Sequence, residues 1–486
     1  MISPEQGKAA QGLLRTYAPL AAELGELFAQ AGHEIALVGG PVRDVFLGRR
    51  PSDLDLTTDA IPEEILAITK RWADKTWTVG IEFGTVGLRK GKMVFEITTY
   101  RSEHYQRGSR KPAVKYGTSL TDDLVRRDFT INAMAARLPS YELVDPFGGL
   151  AALKEKVIRT PGPPTTSFED DPLRILRAAR FAARLGFTVS PDVLDAMGSM
   201  ADRLSIVSVE RIADELTKLM LTPDPAYGLD LLVENSVASV VLPELPALRM
   251  EADEHHRHKD VYQHSLTVLT QAIALEPRYG LEGDLVLRLA AILHDIGKPR
   301  TRSLLPGGKV AFHHHDVVGA KMARKRLTEL RFPKDVIADV SKLIELHLRF
   351  HGYGDGEWTD SAVRRYVRDA GPLLTRLHAL TRADCTTRNA RKAARLAASY
   401  DALEARIEEL REQEELDKIR PELSGEDIMA VLGLTPGPLV GKAWNYLLEL
   451  RLTDGVVGRE RATAELLAWA EGEGIPIPPA DAAPAS

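Results

Sequence analysis

Residues 37–58, LVGGPVRDVFLGRRPSDLDLTT, constrain this chain more than any other stretch. An apolar run (Ile35, Ala36, Leu37, Val38) turns at Gly39-Gly40, and a helix starts behind Pro41. After Gly48-Arg49-Arg50-Pro51 a second strand returns carrying Asp53 and Asp55. Side chains alternate across a strand, so carboxylates separated by one residue point the same way and can share divalent cations. That arrangement serves two-metal attack on a phosphate. The glycine turn supplies the other half. Backbone N–H groups at a helix N-terminus close on a triphosphate where no side chain intervenes, at Gly40 above all, and Arg43 adds a charged fork one turn later.

At 486 residues the chain is too long for one core and implies three or four domains. Hydrophobic content of 44% and charged content of 27% are those of a soluble globular protein, with no membrane span expected. The first thirty residues read as one amphipathic packing helix over 3–31, not a signal peptide. The single cysteine, Cys385, excludes an internal disulfide framework and agrees with a reducing cytoplasm. A net charge of −6 argues against a protein that coats nucleic acid indiscriminately, but leaves room for local basic patches.

After the opening stretch, a helix over 62–72 and strands over 76–79, 85–89 and 93–100 complete a small mixed sheet. Glu96 shares a strand face with Val94 and Thr98. Residues 101–115 lose periodicity and gather Arg101, Arg107, Arg110, Lys111 and Lys115, a basic loop suited to RNA backbone or nucleotide phosphate. The run DDLVRRDFTINAMA follows at 122–135. From Phe168 the chain turns helical. In FEDDPLRILRAARFAARLGF an apolar stripe (Leu173, Leu176, Ala179, Ala183) is flanked by an arginine stripe (Arg174, Arg177, Arg180, Arg184) about 100° around. Asp171 and Arg174, three apart, are spaced to pair. A carboxylate beside a guanidinium offers acceptor and donors in one plane, as reading the edge of a base requires.

Together the glycine turn, Asp53/Asp55, the RRD run and the DDPLR run resemble the class II CCA-adding tRNA nucleotidyltransferase and bacterial poly(A) polymerase family, with its polymerase-beta-like head. The resemblance implies that Glu96 is a third catalytic carboxylate, the plain alternative being a charge on a solvent-facing strand. It implies Arg127 as a triphosphate ligand, with Asp128 and Asn132 on the sugar or local backbone. Asp171 and Arg174 would be the protein template that selects C or A, and Arg177 and Arg180 would help hold the nucleotide. Asp170 stands where the family usually has Glu and could take the place of Asp171. The basic loop corresponds to a segment whose presence in the family goes with the final A addition.

A second constellation lies further on. His264, the adjacent pair His294-Asp295, His315, His347 and Asp384 fall in helical segments and supply mixed nitrogen and oxygen ligands for a borderline transition metal. The ordered set, with Gly297-Lys298 after the pair, resembles an HD-type metal phosphohydrolase. His264, His294, Asp295 and Asp384 would hold the principal metal, and His315 and His347 would complete a second site. His313, His314 and His351 are substitutes for His315 or its neighbours, and His255, His256 and His258 could cap the domain or touch RNA. A charged helix follows to about residue 418, then a helical tail and a Pro/Ala-rich end expected to be disordered.

The expectation is therefore an α+β protein. It comprises an N-terminal helix (1–32), a mixed-sheet nucleotidyltransferase head (33–150), a helical nucleotide-selecting neck and RNA-binding body (151–250), an HD domain (251–400), a helical tail (401–472) and a disordered C-terminus (473–486). Its expected activity is addition or repair of the tRNA 3′ CCA from CTP and ATP. Mg2+ would sit at the head and a transition metal at the HD site, in the cytoplasm, with tRNA as partner and no obligate protein partner. Alternatives are a poly(A) polymerase of the same family, an HD phosphohydrolase with a vestigial head, and a non-catalytic tRNA-binding protein.

Overall fold

The computed structural model describes residues 4–51, 53–100, 117, 119–250, 260–306, 309–350, 359–387, 389–414 and 419–477. The basic loop at 101–115, His255, His256, His258 and His351, and the last nine residues lie outside them. The chain divides into two compact units, 1–246 and 247–486.

In the first unit a seven-stranded sheet has β1 (Ile35–Val38), β2 (Asp53–Thr58), β3 (Lys75–Trp77), β4 (Thr85–Lys90), β5 (Met93–Thr99), β6 (Ala135–Arg137) and β7 (Glu142–Val144), in the order β3-β4-β5-β2-β1-β6-β7. Within this sheet, among the described residues, only the β2–β5 pair is parallel, with Asp55 opposite Glu96. Residues directly paired across strands project from the same face. Glu96 therefore shares the face of Asp53 and Asp55, while Leu54, Leu56, Phe95 and Ile97 fill the buried face. The N-terminal helix expected over 3–31 is two helices, α1 (Pro4–Tyr17) and α2 (Pro19–Gln30). Pro19 has no N–H to continue α1 and instead opens α2 as its first residue. Tyr141 is buried against the break, its hydroxyl donating to the Ala18 carbonyl at 2.6 Å.

Helices α3 (Gly40–Phe46), α4 (Pro62–Thr69), α5 (Leu120–Val125) and α6 (Gly149–Glu155) surround the sheet's connections. Beyond them come α7 (Pro164–Asp170), α8 (Arg174–Leu185), α9 (Pro191–Ser199), α10 (Val209–Met220), α11 (Pro225–Glu234) and α12 (Ala238–Val241). The apolar stripe of α8 is buried and packs on α10 and α11. Gly228 permits the close approach, since a Cβ there would stand 3.0 Å from the Ala183 Cβ.

The second unit is helical: α13 (Val261–Tyr279), α14 (Leu285–Leu293), α15 (Lys298–Thr301), α16 (His315–Glu329), α17 (Lys334–Leu346), α18 (Asp360–Ala370), α19 (Leu374–Ala383), α20 (Ala390–Glu414), α21 (Gly425–Leu432), α22 (Pro438–Asp454) and α23 (Arg459–Gly472). A hairpin of Arg302–Leu305 and Lys309–Phe312 interrupts them. Helices α21–α23 close on a small core of their own around Ile428, Leu447 and Leu466. Among the described residues no helix is long and apolar enough to cross a membrane.

Candidate active site and metal centre

In the first unit, β1 ends at Val38, α3 begins at Gly40, and between them Gly39 turns the chain with a φ of +71° that glycine adopts freely. A side chain there would also crowd Arg127, since a Cβ would lie 3.1 Å from its Nη1. Burial pushes the Asp55 carboxyl upward, Arg127 opposes it, and Glu96 and Asp53 push it further up. Three acidic groups thus concentrate negative charge at one end of the β2–β5 pair, an environment that a divalent cation relieves. They do not form a tight ligand cage, however. Among the described residues the only groups of three or more ligating atoms within 4.8 Å of one another lie in the second unit.

A cavity of about 400 Å3 runs from Gly39, Gly40, Arg43 and Asp55, past Arg127, Asp128 and Asn132, to Asp171, Arg174, Arg177 and Phe181. One polar chain organises it. Arg43 Nη1 donates to Asn132 Oδ1 at 2.6 Å, and Asn132 Nδ2 donates to Asp128 Oδ1 at 2.9 Å. Arg177 grips Asp128 Oδ2 with Nε and Nη2 at 2.9 and 2.6 Å, and its Nη1 reaches Glu215 at 3.4 Å. Burial pushes the Asp128 carboxyl up, but the Arg177 guanidinium and the bonds from Asn132 and Arg177 more than reverse this, holding it down to about 2. Asp128 and Asn132 are thus engaged by the protein itself. Arg127 is held by Asp123 at 3.0 Å, one helical turn back.

The arginine stripe divides. Arg174, Arg177 and Arg184 line the cavity, whereas Arg180 is buried away from it, donating to Glu215 Oε2 at 2.6 Å and stacking on Phe181. Arg180 therefore supports the helix and does not face the cavity. Glu215 was not singled out from sequence, although a signal existed. It falls with Ile212, Leu216 and Leu219 on one apolar face of α10, where an unpaired charge would be costly.

The expected Asp171–Arg174 pair does not form. Asp171 lies just past the end of α7, extended (φ −144°, ψ 100°), because the following Pro172 disfavours helical backbone before it. Its Oδ2 accepts from Arg211 Nη2 at 2.8 Å, while Arg174 donates to the Ser167 hydroxyl at 2.8 Å and the Arg126 carbonyl at 2.5 Å. Both still line the same cavity.

In the second unit all six expected ligands converge, in a different division. His264, His294 and Asp384 form one group, and Asp295, His315 and His347 form another. All but His264 sit at helix ends or just beyond them. The histidine Nδ1 atoms of 294, 315 and 347 meet the carbonyls of Ala291, Phe312 and Ile344, each three residues back, at 2.8, 2.9 and 2.6 Å. This orients each ring so that its Nε2 faces inward. Asp295 Oδ2 lies 3.2 Å from His294 Nε2, Asp295 Oδ1 3.3 Å from His315 Nε2, and Asp384 Oδ1 2.9 Å from His264 Nε2. Ligand atoms about 2.1 Å from a tetrahedral metal stand roughly 3.4 Å apart, so the cluster has the spacing of a metal site.

The buried His347 Nε2 has no hydrogen-bond partner, and burial holds its imidazole neutral, pushed down to about 4. An orphaned lone pair among carboxylates fits a cation. Gly297 makes the convergence possible, since a Cβ there would meet the His315 carbonyl oxygen at 2.1 Å. His314 caps α16 in a left-handed conformation, leaving His315 as the ligating member of the triplet. A cavity of about 390 Å3 opens on His264 and Asp384, walled by Val261, Phe312 and Leu396, with Lys298 and Lys392 beside them.

Residues 35–159 match the poly A polymerase head domain, 186–248 the "Probable RNA and SrmB-binding site of polymerase A", and 261–389 the HD domain. The A-adding tRNA nucleotidyltransferase of Deinococcus radiodurans is 34% identical over 90% of this chain and 95% of its own length. The CC-adding tRNA nucleotidyltransferase of Thermus thermophilus is 34% identical over 90% and 93%. The crystal structure of the Bacillus stearothermophilus CCA-adding enzyme in complex with CTP superposes with a TM-score of 0.66 at 25% identity, covering 94% of this chain and 98% of that one. By these full-length likenesses the chain belongs to the tRNA nucleotidyltransferase family and carries an HD domain.

Proposed function

We propose that the first unit builds or repairs the 3′-terminal CCA of tRNA from CTP and ATP without a nucleic-acid template. One observation carries this reading. A single cavity joins the glycine turn and Asp55 at one end to Asp171 and Arg174 at the other, so one bound nucleotide can meet both a phosphate grip and a base-reading pair. Asp53 and Asp55, with Glu96 on the same face, would hold Mg2+. When bound, the cation would lower the pKa of the RNA 3′ hydroxyl and offset the negative charge of the triphosphate. Gly40, Arg43 and Arg127 orient the phosphates. The 3′ oxygen attacks the α-phosphorus, the bond to the β-phosphate bridging oxygen breaks, and pyrophosphate leaves. Asp171 accepts from the amino group shared by cytosine and adenine, and Arg174 donates to the neighbouring ring nitrogen. Arg177 acts by fixing Asp128. The head at 33–150, the neck and body at 151–250 and the tail would bind tRNA by shape and backbone in the cytoplasm.

The test is tRNA lacking its last three nucleotides, incubated with CTP, ATP or both, and sequenced at the 3′ end. CCA is expected. Addition of CC alone or A alone would instead align the chain with its two full-length relatives, a long A tail would make it a poly(A) polymerase, and no extension would sink the reading.

The second unit supports a separate activity, because its six ligands and adjoining cavity form a site of their own. His264, His294 and Asp384, with Asp295, His315 and His347, would hold divalent transition metal, whose Lewis acidity serves hydrolysis of a phosphate ester or 2′,3′-cyclic phosphate by water. Lys298 and Lys392 supply positive charge at the cavity wall.

A further inference from the structure

Both oxygens of Asp171 are occupied by the protein itself. Oδ1 accepts from the Leu173 backbone N–H at 3.2 Å, and Oδ2 accepts from Arg211 Nη2 at 2.8 Å. A nucleotide cannot donate to this carboxylate without sharing or displacing one of them. The Leu173 amide is fixed, because it lies in the turn that starts α8. Arg211 is different: it projects from the first turn of another helix, α10, and its side chain is 53% exposed. An exposed single-contact ion pair is weak and readily exchanged. Arg211 also lines the cavity together with Asp171 and Arg174. It therefore presents to Asp171, from the cavity side, the kind of N–H donor that the amino group of cytosine or adenine would present.

We propose that Arg211 is a placeholder for the base amino group, released from Asp171 when CTP or ATP binds. The proposal rests on reading Asp171 and Arg174 as the base-selecting pair. An amino-bearing base replaces the donor that leaves, so Asp171 stays satisfied. Uracil offers a carbonyl at that position, which cannot replace Arg211 and faces the carboxylate as a second acceptor. Arg211 thus lowers affinity only for a base that displaces it, cytosine or adenine, whereas uracil, with no donor to offer, leaves the Arg211–Asp171 pair closed.

The experiment is equilibrium titration of the full-length protein with CTP, ATP and UTP, without RNA. Arg211→Ala is expected to bind CTP and ATP about two- to fivefold more tightly than the natural protein, the range an exposed pair can contribute. UTP should gain nothing. The difference should shrink as ionic strength rises, because an exposed pair is screened. Arg211→Lys, which keeps a donor, should fall between. Unchanged or weaker CTP and ATP binding, or a UTP gain equal to that of CTP, overturns the proposal. Asp171→Ala separates this from the underlying reading. If Asp171→Ala keeps its choice of C and A, the base-selecting reading itself fails. If it loses that choice while Arg211→Ala shows no tightening, only the placeholder role fails.

Discussion

In the second unit six ligating side chains face inward in two groups, each with its atoms within 4.8 Å, and His294, Asp295 and His347 are 1% exposed. In the first unit Asp53 and Glu96 stand exposed on a sheet face, with Asp55 partly buried between them and no comparable cage. The HD cluster is finished before substrate arrives. Histidine rings oriented by backbone carbonyls and a neutral buried His347 would suit it to a resident cation. Under the proposed function the head would leave coordination positions for the triphosphate to fill, as expected where magnesium enters with its nucleotide. On that reading one chain carries a preformed centre and one that its substrate completes.

The sharpest way to break this comparison is to disable each centre alone. Asp55→Ala should lower nucleotide incorporation by about 10^3-fold or more if Asp55 holds the metal as proposed, since such a carboxylate acts directly on the transition state. It should leave metal-dependent phosphatase activity in place. His294→Ala should do the reverse. Loss of both activities in either variant, measured by 3′-end extension and by phosphate release, would show that the two centres are not independent.

The difference also explains what could be read from the sequence. The six residues that converge in the HD domain were legible as a set because each is chemically distinctive and they are ordered along the chain. Their division between two groups was not, since it depends on how α15 and α16 approach across Gly297. In the head, the Gly-Gly turn and the Asp53/Asp55 alternation were legible from period alone, and the β2–β5 register then places Glu96 beside them. The arginine stripe was legible as a stripe but not residue by residue. At 100° per residue, Arg174, Arg177, Phe181 and Arg184 fall within about 80° of arc, and Arg180 lies about 40° further round. That rotation carries it out of the cavity and onto Glu215. The Asp171–Arg174 pairing failed for a reason printed in the chain, since Pro172 takes Asp171 out of the helix in which the three-residue spacing would apply.

Behind the open head site lies a closed ion network, and its removal should be felt in stability as well as catalysis. Glu215, 2% exposed, balances Arg180 and reaches Arg177. Glu215→Gln leaves the buried Arg180 charge uncompensated, and a loss of about 3–5 kcal/mol is expected in urea unfolding. A loss under 1 kcal/mol would mean that Arg180 finds water, and that the α8–α10 contact is looser than its geometry indicates. The HD cluster offers the complementary measurement. Saturating a chelator-treated sample with divalent transition metal to about 100 times its dissociation constant should add about 2.7 kcal/mol to the second unit's stability, read as a rise in its thermal midpoint. The same addition to His294→Ala should give little, and magnesium without nucleotide should not stabilise the first unit comparably.

The smallest effect is a pH dependence confined to the first unit. Asp128 is buried and held down to about 2 by the Arg177 guanidinium and by Asn132, against an ordinary aspartate value of about 3.9 in the unfolded chain. A group depressed on folding contributes stability that is fully present above its unfolded pKa and is lost as pH falls through its folded pKa. The contribution should be about 2.5 kcal/mol above pH ~4, fading as pH drops toward ~2. Other carboxylates titrate in the same window, so the readout is the difference between the natural protein and Asp128→Asn, in urea unfolding followed from pH 6 downward. That difference should narrow on acidification, because the protonated Asp128 carboxyl and the amide that replaces it are alike in charge. A gap that stays constant down to pH 2 would mean that Arg177 holds Asp128 through shape and hydrogen bonds, not through its charge, and that the head's ordered interior owes less to electrostatics than the HD cluster does.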